Sequence, residues 1–140
     1  MLVVIDSQIV SSRLSTIEQY LDRLERIRKE GRKAYMGDFD RRLIAERALH
    51  IAIEACIDIS NHIISSRGYR KPQDYADVFK VLEENDVIES SLSNRLMDMA
   101  RFRHRLVHLY STLDNKVVFS ILKENLQDIR DFAASVAELL

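Results

Sequence analysis

The sequence predicts an all-α fold, an up-and-down bundle of four long helices plus one short helix, filling a single domain over residues 1–140. Three observations carry this reading. One proline and three glycines in 140 residues leave few places to turn. Apolar residues recur at spacings of three and four along most of the chain, which places them on one face of a helix. No segment alternates with the two-residue period of a half-buried strand. A chain of this length buries roughly 68% of its unfolded surface, enough to hold a core without disulfides or a structural metal.

The first helix is expected from about Asp6 to Lys29, with Val10, Leu14, Ile17, Leu21 and Leu24 as its core stripe. Gly31 and Gly37 mark its end and the loop beyond. The second runs from about Asp38 to Ser66, with Asp38 or Asp40 as its cap. It is apolar around most of its circumference between Leu43 and Ile64, the signature of a central helix. One stripe stays polar: Arg47, His50, Glu54, Asp58 and Asn61. Gly68 closes the helix, and Pro72 blocks its continuation. The short helix spans about Gln73 to Asn85, with Tyr75, Val78, Phe79 and Leu82 on a shared face. The fourth element runs from about Ile88 to near Val107, one side marked by Leu92, Leu96, Met99, Arg103 and Leu106. After a connection over Leu109–Asn115, the last helix runs from about Lys116 to the C-terminus on Leu122, Leu126, Ile129, Phe132, Val136 and Leu139.

Composition narrows the function classes. The chain is 46% hydrophobic and 31% charged, which is globular rather than disordered or membrane-embedded. With 21 basic and 22 acidic residues there is no global pull toward nucleic acid, so any such contact needs a local patch. The lone cysteine, Cys56, sits in an apolar run and is expected in the core of a protein from a reducing compartment. The apolar start Met1–Ile5 is too short for a signal peptide, and no run reaches the ~20 residues needed to cross a bilayer. A cytoplasmic protein with no membrane partner is expected.

Chemistry concentrates in Arg101-Phe-Arg-His-Arg-Leu-Val-His108, three arginines and two histidines beside the fourth connection. Histidine is suited to proton transfer near neutral pH, and arginine offers a planar fork of donors to a phosphate. Basic residues at a helix C-terminus also simply favour the helix dipole, by about 0.3–1 kcal/mol each. His104 and His108 have the spacing of two metal ligands, but Arg105 between them would repel a cation and no third ligand is near. No metal and no cofactor are expected.

The segment Phe102–Tyr110 resembles the Arg-x4-His-x-Tyr signature of HepT-type proteins of the HEPN superfamily, with Arg103, His108 and Tyr110 at the motif positions. His104 follows the arginine where relatives commonly carry Asn or another polar residue. Ala45–Glu54 with Asp58–Ile63 is similar to the family's second helix, and Pro72–Val87 to its middle segment. The resemblance implies a HEPN-like helical bundle that forms homodimers, with the motifs of two subunits meeting in a cleft. It implies a metal-independent endoribonuclease, the toxin of a toxin–antitoxin pair. Arg103 and His108 would be catalytic, and RNA (tRNA or mRNA) the substrate. It further implies a minimal nucleotidyltransferase antitoxin that transfers AMP to Tyr110. Arg101, His104 and Arg105 are then candidate RNA contacts, and Glu54 and Asp58 candidate supports for Arg103 or His108. The competing readings are a nucleotide- or partner-binding subunit of a nucleotidyltransferase that does not cleave, and a plain helical interaction module.

Overall fold

A computed structural model describes residues 4–108 and 113–140. Among the described residues there are seven helices: α1 Ser7–Glu30, α2 Arg32–Met36, α3 Phe39–Arg67, α4 Asp77–Glu84, α5 Ser90–Val107, α6 Asn115–Glu124 and α7 Leu126–Ala137. None of them is long and apolar enough to cross a membrane.

The four long segments stand where their periodicity puts them, the short helix begins at Asp77 instead of about Gln73, and two further divisions appear. The stretch between Gly31 and Gly37, expected as a loop, contains α2. Its Tyr35 is buried with its ring centroid 5.3 Å from that of Phe119, and this tertiary anchor organises one helical turn that has no periodic signal of its own. The last segment divides at Asn125, whose side chain donates to Asp128 Oδ2 at 3.0 Å, while Arg95 of α5 donates to Asp128 Oδ1 at 2.7 Å. Asp128 is buried, so these bonds satisfy a carboxylate that would otherwise be costly to enclose, and they fix where α7 turns away from α6.

Local chemistry accounts for the helix ends. Asp6 caps α1 by accepting from the N–H groups of Gln8 and Ile9, and Asp38 caps α3 by accepting from those of Asp40 and Arg41. Asp114, within the expected connection, caps α6 by accepting from the Lys116 N–H at 2.9 Å. Gly68 ends α3 with φ 68°, the left-handed conformation that glycine adopts without a Cβ clash.

α3 is the axle of the fold, in contact with α1, α2, α4, α5 and α7. Its buried set, from Ala45 through Leu49, Ile53, Cys56 and Ile59 to Ile64, surrounds most of the helix, as its apolar composition requires. Cys56 lies inside this set, and burial pushes its thiol pKa up, which leaves it a core residue. Val10, Ile17, Leu21 and Leu24 of α1 close one side of α3. Phe79 of α4 and Phe132 of α7 meet edge to face at 5.8 Å on another, a pairing worth about 0.5–1.5 kcal/mol beyond the area it buries.

Candidate active site

The polar stripe of α3 lies outside the buried apolar set of that helix, and α5 packs against α3 so that Arg103 reaches it. Helical spacing puts Arg47, His50, Glu54 and Asp58 in a row. From α5, Arg103 follows Leu92, Leu96 and Met99 down the packed side of the helix, so its guanidinium is carried inward and its side chain is only 12% exposed. There it meets Glu54: Arg103 Nε donates to Glu54 Oε2. The ring of Tyr75 covers the guanidinium, its centroid 4.5 Å from the central carbon.

His50 joins this group from one turn before Glu54. Arg47 Nη1 lies 3.2 Å from His50 Nδ1. A guanidinium only donates, so Nδ1 accepts, and the proton of the neutral ring resides on Nε2. That nitrogen faces Glu54 Oε2 at 4.0 Å. Burial lowers the His50 pKa, and the positive charges of Arg103 and Arg47 lower it further against the opposing pull of Glu54. Asp58 pairs with Arg13 of α1 at 3.7 Å rather than with Arg103. Burial and the nearby Glu54 raise its carboxyl pKa, opposed by Arg13 and Arg103.

His50 is therefore expected to titrate below the ordinary histidine value of about 6.5. The unfolded chain takes up this proton first as the pH falls, so the folded state loses stability from that ordinary value down through the lowered folded value. His50→Gln should remove this part of the profile of melting temperature against pH. An NMR titration of the His50 ring at or above the ordinary value would refute the assignment.

At its C-terminal end α5 presents a different surface. His104 and His108 stack at the i, i+4 spacing, ring centroids 4.3 Å apart and planes 45° apart, and both are exposed. His108 is the C-cap, its N–H donating to the His104 carbonyl at 3.0 Å. Arg101 turns to Asp98 of its own helix at 3.1 Å, and Arg105 is exposed. The helix runs unbroken through Val107, so Arg103 and His108 project in directions about 140° apart. Arg103 faces α3 while His108 faces solvent at the helix end. Tyr110 lies outside the described residues.

Of the residues singled out from the sequence, Glu54 and Arg103 meet directly, His104 and His108 meet each other, and Asp58, Arg101 and Arg105 stand to the side. Periodicity assigned Tyr75 to the apolar face with Val78 and Phe79, yet it is 58% exposed and packs on Arg103. α4 begins only at Asp77, so Tyr75 belongs to the turn before it. The His50–Glu54 spacing within the polar stripe was the available signal for His50.

Residues 17–136 match the family model described as "Ribonuclease HepT-like". The chain is 31% identical over 123 residues to the tRNA nuclease HepT of Aphanizomenon flos-aquae, covering 88% of this chain and 84% of that protein. It is 29% identical over 126 residues to the mRNA nuclease HepT of Shewanella oneidensis, covering 90% and 94%. Among solved structures, the tri-AMPylated Shewanella oneidensis HEPN toxin in complex with MNT antitoxin superposes with a TM-score of 0.86 at 28% identity, over 93% of this chain and 97% of that one. The family match spans α2 to α6 in full, enters α1 at Ile17 and ends one residue short of the end of α7, taking in the stripe of α3, the turn bearing Tyr75 and the Arg103–His108 end of α5. The chain belongs to the HepT-like ribonuclease family.

Proposed function

We propose that this chain is the toxin of a toxin–antitoxin pair, a metal-independent endoribonuclease that cleaves RNA with Arg103 and His108. The observation that carries the reading is the placement of Arg103: a guanidinium oriented by Glu54 and Tyr75, on the same end of α5 as the exposed pair His104 and His108, in a chain of this family. His108 acts as base or acid. As base it takes the proton of a ribose 2′-hydroxyl, and the 2′-oxygen attacks the adjacent phosphorus. The bond from phosphorus to the 5′-oxygen breaks, and that oxygen takes a proton from the acid. The products are a 2′,3′-cyclic phosphate and a 5′-hydroxyl. Arg103 binds the phosphate and stabilises the charge that develops on its oxygens. Because Arg103 and His108 diverge on one helix, the site is assembled by a homodimer, whose two-fold axis supplies each residue twice in one cleft. The substrate is tRNA or mRNA, the two classes named for the nuclease relatives.

The same reading includes neutralisation. AMP placed on Tyr110, two residues beyond His108 in the motif, by a minimal nucleotidyltransferase antitoxin would add negative charge and bulk to the motif and oppose RNA there. Coexpression with that partner should yield a toxin whose intact mass is raised by AMP, with the addition mapped to Tyr110. An unmodified tyrosine in a neutralised complex would overturn this part.

The central test is incubation of unmodified protein with total RNA and tRNA in EDTA, followed by mapping of the new ends. Cleavage leaving 5′-hydroxyl ends is expected. Nucleotide binding with intact RNA would instead identify a non-cleaving subunit of a nucleotidyltransferase.

A further inference from the structure

Among the described residues near the site, Tyr75 is the large aromatic side chain that the fold leaves mostly open. It is 58% exposed, whereas Phe79 four residues later is 1% exposed. Its position is braced. Arg70 forks Asp77 with bonds of 2.7 and 3.0 Å and reaches Glu84 through Nε at 2.8 Å. The N–H of Gln73 donates to Asp77 Oδ2 at 2.9 Å, and the N–H of Asp77 donates to Asp74 Oδ1 at 2.8 Å. The hydrogen bonds from Arg70 hold the Asp77 and Glu84 carboxyls below their ordinary range, so the brace stays ionised at neutral pH. One face of the Tyr75 ring is occupied by the Arg103 guanidinium, so the exposure belongs to the opposite face and the edge.

An aromatic ring held on a rigid turn, one face on an arginine and the other in water, is arranged to accept a flat partner. Bases of single-stranded RNA are splayed out and stack on such rings, and every base offers a π-face, so the contact tolerates many sequences. We propose that Tyr75 is a base-stacking platform, whose outer ring face takes an unpaired nucleobase of RNA next to the phosphate bound by Arg103. The assignment rests on the reading of Arg103 as the phosphate contact. It adds a subsite for the base to a site so far built from phosphate and proton chemistry. Tyr75 also packs on Arg103, which is bonded to Glu54, and the test separates the two roles.

Binding is measured by fluorescence anisotropy with two labelled probes that cannot be cleaved: a 2′-O-methyl hexa-adenylate, and a backbone of the same length without bases. Tyr75→Leu should weaken binding of the hexa-adenylate roughly 5- to 100-fold more than it weakens binding of the base-free backbone, which loses only what the ring contributes to placing Arg103. Tyr75→Phe, which keeps the ring, should bind both probes like the parent. Equal weakening on both probes would mean that the ring only holds Arg103, and no weakening on either would mean that no base stacks there; each overturns the platform. A change in oligomeric mass accompanying the loss would overturn it as well, because Tyr75 would then be an interface residue. Arg103→Ala reports separately on the underlying reading. If it abolishes binding of the base-free backbone while Tyr75→Leu does nothing, the phosphate contact stands and the platform falls. If the parent binds neither probe, the phosphate reading fails and the platform fails with it.

Discussion

Replacing His108 with alanine is expected to lower the rate of RNA cleavage by roughly 10²–10⁴-fold, the contribution of a positioned acid–base group. The structure makes this a clean experiment. His108 is exposed at the end of α5, and its described contacts are the ring of His104 and a backbone bond that alanine retains. Its loss to folding is therefore limited to a favourable charge at a helix C-terminus, about 0.3–1 kcal/mol when the ring is protonated. A variant that melts like the parent but no longer generates 5′-hydroxyl ends places the histidine in the reaction. Cleavage at the parental rate would remove His108 from the chemistry and leave it a helix cap.

Arg103→Lys is expected to lower cleavage by roughly 10²–10³-fold, the usual loss when one donor to the developing charge is removed. Charge is not the reason, because lysine keeps it. The planar guanidinium gives Nε to Glu54, has its central carbon 4.5 Å from the centroid of the Tyr75 ring, and still has donors on its terminal nitrogens for a phosphate. A lysine ammonium that reaches Glu54 has no second, rigidly directed set of donors. Retention of full activity by the lysine variant would rule out the fork. The same variant tests the dimer. Neither Arg103→Lys nor His108→Ala should cleave alone, but mixed dimers contain one intact Arg103 and one intact His108. If the two motifs share a cleft, mixing should restore part of the activity after subunit exchange. A chain that stays monomeric in dilute solution, or a mixture that stays inert, would refute the shared cleft.

The helical class, the central place of α3 and the polar stripe along it were all legible in the sequence. Each depends on the 3.6-residue period, a property of the local chain. The start of α1 near Asp6, the cap of α3 at one of Asp38 and Asp40, and the stop at Gly68 were legible for the same reason, since a cap acts within a few residues. The cluster from Arg101 to His108 stood out by composition, and its family resemblance supplied the roles that composition left open. Tertiary structure decided what lies further apart. α2 exists because Tyr35 is buried against Phe119, a partner on α6 that no local pattern announces. Tyr75 left the apolar face to which its spacing assigned it because the Arg70–Asp77 fork and the bond from Asp77 to Asp74 organise a turn there, ahead of the helix. Glu54, rather than Asp58, became the partner of Arg103 across 49 residues because that choice depends on how far α5 slides along α3. A helix declares in its sequence which face is buried; which residue of another helix that face meets is settled by packing, where a shift of one turn, about 5.4 Å, changes every partner.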